Sequence, residues 1–394
     1  MAADMVQSME REFFDHVIPF WQSKADTVHG GFYGLLNFDL ELDKEAEKGC
    51  ILNSRILWFF SNAYLELGDE SYLATATHAY AFLKEYCLDR THGGVYWSVT
   101  YDGIPMDDTK HTYNQAFAVY ALSSYYRASG NREALDLAYG LFDLIEDKCR
   151  DEGGYLEAFS VDFKPSTNEK LSENGVMATR TMNTLLHVME AYTELYKADH
   201  NEKVRQKLQE QLVLFRDKVY DADKERLEVF FDADYHPLID LHSFGHDIEA
   251  AWLIDRTIEV LGDEGTEYDL SAITRVLTKK IYDVAFDGES VPAESENGTV
   301  LQDRIWWVQC EAVIGFINGW QKDSSQPQYR RAAEAVWEYI QKAIVDPREG
   351  SEWYSEVDTE GTPFSRKPII EPWKCPYHNG RMFLEIRRRL KQEA

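Results

Sequence analysis

Apolar positions along this chain recur mainly with a helical period. Phe13, Phe14, Val17, Ile18 and Trp21 follow the i, i+3, i+4, i+7 spacing of one buried helix face. Comparable patterns predict twelve helices, at about 5–24, 51–68, 71–87, 111–128, 131–149, 175–198, 201–220, 242–261, 266–285, 303–321, 327–344 and 375–391. Between them a short extended segment, most often led by glycine, recurs. It reads GGFYGLLNFD from Gly30, GGVYWSVTYDG from Gly93 and GGYLEAFSVDF from Gly153. Weaker copies start at Leu227, Gly288 and Gly350, so six units follow one another at spacings of 60 to 74 residues.

Two kinds of connection alternate. Five are tight polar turns: Gly68-Asp69-Glu70, Ser129-Gly130-Asn131, Asp199-His200-Asn201, Gly262-Asp263-Glu264 and Asp323-Ser324-Ser325. The extended segments fill the other connections. A helical hairpin cannot bury its apolar face alone, so successive hairpins must pack side by side. Six hairpins, with the last helix pairing with the first, close into an all-α (α/α)6 barrel with short β-like loops at one end. An open α-solenoid or two separate bundles is the competing arrangement. No Pro- or Ser-rich linker divides residues 1–394, which favours one catalytic domain. Closure would gather all six long loops at one mouth, each leading into the N-terminus of an even-numbered helix.

Charge and composition narrow the possible partners. The chain carries 41 basic and 69 acidic side chains, a net −28 spread along its length, which argues against a nucleic-acid surface. Its 53 aromatic rings supply a large core and exclude disorder. No leader-like segment and no run of about 18 apolar residues occurs, so no membrane partner is expected and a cytoplasmic location is. Cys50, Cys87, Cys149, Cys310 and Cys375 are odd in number, widely spaced and without a C-x-x-C pair, as expected of reduced thiols filling small gaps. A monomer is expected.

The even-numbered helices carry unusual residues where the mouth should be. The second has Arg55 ahead of Ile56-Leu57-Trp58; the fourth has His111, Tyr113 and Asn114; the sixth has Asn183 and His187. The eighth reads His242-Ser243-Phe244-Gly245-His246-Asp247-Ile248-Glu249-Ala250-Ala251-Trp252. The tenth offers Trp306, Trp307 and Glu311, and the twelfth segment Trp373, His378, Asn379 and Arg381. Each has an ordinary reading: a satisfied core histidine, Arg55 paired with Glu249 or Glu311, tryptophans as packing. Their recurrence at equivalent positions of all six units points instead to a shared site.

Three chemistries fit such residues. His242, His246 and Glu249, at i, i+4 and i+7, would share one helix face and offer zinc ligands, but the glutamate of an HExxH base is missing. Glu249, Glu311 and Asp303 offer carboxylates for glycoside hydrolysis. Histidines, however, outnumber carboxylates at the mouth, and an imidazole both takes and gives a proton near neutrality. That favours reversible proton transfer at carbon.

GHDIEAAW (Gly245–Trp252), KGCILNSRILWFF (Lys48–Phe60), SENGV (Ser172–Val176), TMNTLLHVMEAY (Thr181–Tyr192), IWWVQCE (Ile305–Glu311) and PWKCPYHNGRM (Pro372–Met382) closely resemble the cellobiose 2-epimerase family within the N-acylglucosamine 2-epimerase superfamily. The resemblance spans essentially the whole chain, including HTYNQAF (His111–Phe117). It implies an (α/α)6 barrel, with neither cofactor nor metal, that converts the reducing-end glucose of a β-1,4-linked disaccharide to mannose. It further implies His246 and His378 as the acid/base pair, supported by Arg55, His187 and Glu249. Tyr113, Asn183, Trp252, Trp307, Glu311 and Trp373 would shape the sugar site, with Trp306 beside them. Glu249, one turn from His246, is expected to orient that ring, and Arg55 to face the oxyanion. An N-acylglucosamine 2-epimerase or a mannose-type aldose–ketose isomerase would share these residues.

Overall fold

The structure, a computed structural model, describes residues 2–171 and 174–391. Ser172 and Glu173 of the SENGV segment lie outside the described residues. Twelve helical segments alternate between an outer and an inner layer. The outer ones are α1 (2–23), α3 (70–87), α5 (Arg132–Lys148), α7 (202–219), α9 (Ser271–Val284) and α11 (327–344). The inner ones are α2 (Cys50–Leu67), α4 (Thr112–Ser129), α6 (Met182–Asp199), α8 (Phe244–Leu261), α10 (Trp306–Lys322) and α12 (His378–Lys391).

Sequence chemistry explains the tight turns. Gly68 and Gly130 end α2 and α4 in the left-handed conformation at φ 75° and 70°, and His200 ends α6 at φ 55°. The next residues, Asp69, Asn131 and Asn201, each accept a backbone N–H of the following helix with their side chains. A left-handed stop followed at once by an N-cap reverses the chain in two residues.

Inner helices pack in a closed circuit, α2 on α4, α4 on α6, α6 on α8, α8 on α10, α10 on α12 and α12 back on α2. The circuit excludes the solenoid and two-bundle alternatives, and α1 packs on α12 as a closed (α/α)6 barrel requires. Its members are buried nearly all round: α4 is buried continuously from Thr112 to Tyr125. One hydrophobic cluster runs through all twelve helices. The five cysteines are free and buried in the structure. Among the described residues no helix is long and apolar enough to cross a membrane.

The loops form a second closed circuit above the helices. Lys48–Gly49 pairs with Ser98–Val99, Lys110–His111 with Ala158–Phe159, and Arg180–Thr181 with Phe230–Phe231. Leu241–Ser243 pairs with Glu294–Glu296, Arg304–Ile305 with Glu356–Val357, and a Leu36–Ile370 bridge completes the circle. These pairings correct three expected helix starts. Residues 175–181, 242–243 and 303–305 are loop or strand because their backbones serve a neighbouring loop, and Pro376 delays α12 to His378.

Four of the six loops are also clamped from below. Asn53, Gln115, Asp247 and Gln309, all in the first turn of an inner helix, accept the backbone N–H of Phe32, Val95, Leu227 and Val291. Ion pairs fix the loop ends, two of them fully buried, Asp26–Lys48 at 2.7 Å and Asp89–Lys110 at 3.0 Å, and two with a buried arginine and an exposed carboxylate, Asp151–Arg180 at 2.6 Å and Asp287–Arg304 at 2.7 Å. Burial would raise the Asp89 carboxyl, but the His92 N–H and Lys110 outweigh it and hold it at about 2.

Removing one partner of such a pair leaves an uncompensated buried charge. Lys110→Met is expected to cost about 3–5 kcal/mol in urea unfolding at pH 7, and Asp89→Asn in the same chain to recover most of it. Because the folded pKa is depressed, the Asp89 contribution is complete above its unfolded value of 3.8 and disappears as pH falls towards about 2. The gap between wild type and Lys110→Met should therefore narrow across that window.

Candidate active site

The loop circuit opens onto a cavity of about 1230 Å³ at the N-terminal ends of the inner helices. Ten of the twelve expected site residues line it: Arg55, Tyr113, Asn183, His187, His246, Glu249, Trp306, Trp307, Trp373 and His378. Trp252 and Glu311 lie one layer deeper, at 1% and 0% exposure. Asp303 is not part of the lining.

Ring order decides which residues face each other. In a circuit of six, α2 stands across from α8 and α6 across from α12. Arg55 and His246 thus come from opposing helices, as do His187 and His378. His246 and His378 are separated only by α10, whose Trp307 ring lies 4.9 Å from the first imidazole and 5.3 Å from the second.

The Arg55 guanidinium is buried and meets no carboxylate among the described residues, contrary to the pairing with Glu249 or Glu311 considered from the sequence. It donates to the Tyr113 hydroxyl at 2.8 Å and the Trp373 carbonyl at 3.3 Å, and stacks 4.2 Å over Phe117 and 4.6 Å over Tyr377. Aromatic faces thus carry a charge that would otherwise be expensive to bury.

The carboxylates belong to another cation, Arg381. Its guanidinium bonds Glu190 and the Tyr377 hydroxyl through Nη1, and Glu249 and Glu311 through Nη2, the last at 2.7 Å. Glu311 also takes the His378 Nδ1 contact at 2.7 Å and the Trp252 indole N–H at 2.9 Å. Glu190 takes His187 Nδ1 at 2.9 Å and the Tyr377 hydroxyl. Glu190 and Tyr377 were missed by the sequence analysis, and Arg381 was noted there without a role. The i, i+3 spacing of His187 with Glu190 and of His378 with Arg381 was the available signal.

Two expectations about α8 are corrected. His242 is in a strand, not on the helix, and its Nε2 meets Asp247 at 2.9 Å, so it shares no face with His246 and Glu249. Glu249 does not orient His246: that ring meets the Ser243 hydroxyl at 2.7 Å, while Glu249 faces Arg381. Glu249, Glu311 and His378 do place three donor atoms within 4.8 Å of one another. Both carboxylates there are already bonded to the Arg381 guanidinium.

Electrostatics separate the groups by role. Burial, then His187, pushes His246 down to about 3; burial, then Arg381 and Arg55, lowers His378 well below the usual imidazole range. Both rings are therefore neutral at physiological pH and carry a lone pair. Burial, then the Glu311 charge, pushes Glu249 up to about 7, so it is partly protonated near neutrality. Burial would also raise Glu190, but Arg381 and His187 outweigh it and hold it at about 2. Glu249 Oε2, Asn183 Oδ1 and Arg55 Nε have no hydrogen-bond partner among the described residues. Such buried polar atoms call for a ligand or water.

Known proteins point the same way. A profile of the N-acylglucosamine 2-epimerase (GlcNAc 2-epimerase) family matches residues 31–379. A cellobiose 2-epimerase from Ruminococcus albus is 52% identical over 382 residues, covering 97% of this chain and 98% of the relative. A sugar epimerase from a ruminal bacterium superposes with a TM-score of 0.95 at 51% identity, covering 98% of this chain and 99% of that one. The cellobiose 2-epimerase structure from Bacillus thermoamylovorans gives 0.94 at 43% identity, covering 98% and 100%. Fold and matches define a carbohydrate epimerase, an enzyme of the isomerase class. The chain belongs to the N-acylglucosamine 2-epimerase family.

Arg381→Met should expose the dependence of three carboxylates on one cation. At pH 7.5 it is expected to destabilise by about 3–5 kcal/mol in urea unfolding. Unpaired, Glu190, Glu249 and Glu311 would be protonated more readily in the folded state than in the unfolded one, so the deficit should shrink as pH falls from 7.5 to 5.5. A deficit independent of pH would mean that Arg381 acts by packing alone.

Proposed function

We propose that the chain is a cofactor-independent 2-epimerase working as one catalytic domain. Its substrate is the reducing-end glucose of β-1,4-linked disaccharides, taking cellobiose to glucosyl-mannose and lactose to epilactose. The relatives named cellobiose 2-epimerase support the substrate class. The observation that carries the chemistry is the pair of neutral imidazoles, His246 and His378, flanking Trp307 in the mouth cavity.

The C2 proton becomes acidic only when the sugar is open and C1 is an aldehyde. His187, held by Glu190, faces the anomeric and ring oxygens during opening. One imidazole then takes the C2 proton, and the C–H electrons pass to the C1 oxygen, giving a cis-enediolate. Arg55, whose guanidinium bonds only neutral oxygens among the described residues, stabilises that oxyanion, an effect worth several kcal/mol in a preorganised site. The second imidazole, neutral at rest, takes up a proton once the enediolate charge has formed and gives it to the opposite face of C2 as the C1 carbonyl re-forms, and the proton left on the first imidazole then restores the donor. Glu249, partly protonated at about 7 and within 4.8 Å of His378, supplies that proton from within the site.

Hydrogen bonds fit these duties. Glu311 already receives two N–H groups, from Arg381 and Trp252, so the His378 Nδ1 donates as well and its Nε2 keeps the lone pair. The Ser243 hydroxyl either gives or takes, so His246 changes tautomer without moving. Trp307 and Trp373 offer flat faces to the sugar C–H surface; Tyr113 and Asn183 meet its hydroxyls.

His246→Ala and His378→Ala are each expected to lower kcat at least about 10³-fold with circular dichroism unchanged, and Glu249→Gln about 10²-fold. Turnover of cellobiose in D2O should place deuterium at C2 of the product. Near-normal kcat in either histidine variant would end the two-histidine scheme, and full retention of protium would replace it with internal transfer by one group. Proton NMR of incubations with cellobiose, lactose, N-acetylglucosamine and mannose checks the substrate class: new mannose-type reducing-end signals are expected from the first two, and no new signals from the last two.

A further inference from the structure

A second cavity of about 880 Å³ opens at the other end of the barrel, among the C-terminal halves of the inner helices. Arg381, Glu190 and Trp252 line it from above, so a single layer of side chains separates it from the mouth cavity. The chain as a whole carries −28, yet this chamber collects cations: Arg127, Lys197, Arg256 and Arg388. Their carboxylate partners are few. Glu194 is shared by Arg127 at 3.0 Å and Lys197 at 2.5 Å, and Glu385 is shared by Arg388 and Arg389. A third carboxylate, Glu66, is 3.7 Å from Arg387 outside the chamber and acts on Arg388 from further off. Among the described residues Arg256 has its ion pair with Glu259, at 3.6 Å, whose side chain is 71% exposed, and it acts on Glu194 from further off.

The strain of this crowding is visible in the charges themselves. Burial, then the two neighbouring guanidinium groups working against Glu194, brings Lys197 down to about 7; burial, then Arg256, brings Arg388 down to about 10. Trp58, 5% exposed, lines the same cavity, and its indole N–H has no hydrogen-bond partner. A buried N–H without an acceptor, beside cations that repel one another, describes a site lacking its anion.

We propose that this chamber binds an oxyanion of the phosphate class, held by Arg256, Arg388 and Lys197 with the Trp58 indole as a further donor. Guanidinium forks match a tetrahedral oxyanion's paired oxygens, and the remaining oxygens satisfy the ammonium and the indole. A neutral sugar has no such demand, so the chamber serves a ligand other than the substrate. The opening beside Leu65, 41% exposed, leaves space for a substituent, so a free phosphate ion and a phosphate monoester present the same chemistry to the cations.

Isothermal titration and thermal unfolding with inorganic phosphate, at ionic strength fixed with sodium chloride, test the site. One phosphate per chain is expected, with a saturable rise in Tm and no displacement by saturating cellobiose. Arg256→Gln and Arg388→Gln, both checked for native circular dichroism, should each weaken binding about tenfold or more. A glycerol phosphate arm decides the source: binding as tight as phosphate assigns an ester, and failure to bind assigns the free ion. A Tm rise no larger than that given by sodium chloride would overturn the proposal. Displacement by cellobiose, or binding unchanged in both variants, would do the same.

Discussion

One buried guanidinium holds the centre of this molecule together. Arg381 of α12 reaches Glu190 on α6, Glu249 on α8 and Glu311 on α10, so four of the six inner helices meet at a single side chain. Burying so much charge is seldom the route to greatest stability, because desolvation consumes much of the Coulombic gain. Its value here is positional. Glu311 is also the partner of His378, and Glu190 the partner of His187. Each imidazole is thus aimed by a carboxylate that is itself aimed by Arg381, a chain of support of the kind a preorganised site requires.

The charge count at that centre has a chemical consequence. Three carboxylates around one arginine would leave a formal excess of two negative charges. Part of it is spread over the neutral donors Tyr377, Trp252 and the histidine N–H groups. The rest is removed by protonation, and it falls on Glu249, whose Oε2 has no hydrogen bond to offset burial. A proton is therefore kept in the buried cluster at neutral pH, beside rings that burial keeps neutral. Acid and base are available together because the same cluster treats its members unequally.

Much of this architecture was legible in the chain. The six-fold recurrence and the alternation of tight turns with long loops implied a ring, since only local periodicity and turn chemistry were needed. Helix starts at 175 and 242 were misplaced for a non-local reason: Thr181 and His242 are extended because they pair with Phe230 and Ser295, which no local pattern announces. The site divides the same way. Arg55, His187, His246 and His378 stood out as polar residues in apolar helices, whereas the carboxylate partners of Arg381 are 70 to 191 residues away. Trp252 read as a sugar platform, but its indole N–H serves Glu311 from below the cavity floor.

Close packing explains a detail of the sequence that charge does not. The glycine before His246 is not there for backbone freedom, since α8 is regular at that point. A Cβ on Gly245 would lie 2.5 Å from the Trp307 ring, and one on Gly380 2.3 Å from Phe59. On α10, Gly315 is as close to Ile248 of α8, 2.4 Å from its side chain and 2.9 Å from its backbone oxygen. Backbone cannot yield as a side-chain tip does, so α8 and α10 can approach this closely only because one of them lacks a Cβ there. That approach lets the Trp307 ring settle between α8 and α12 and touch both imidazoles at once. The spacing of the two imidazoles is thus set by two glycines and a tryptophan, and their neutrality first of all by burial.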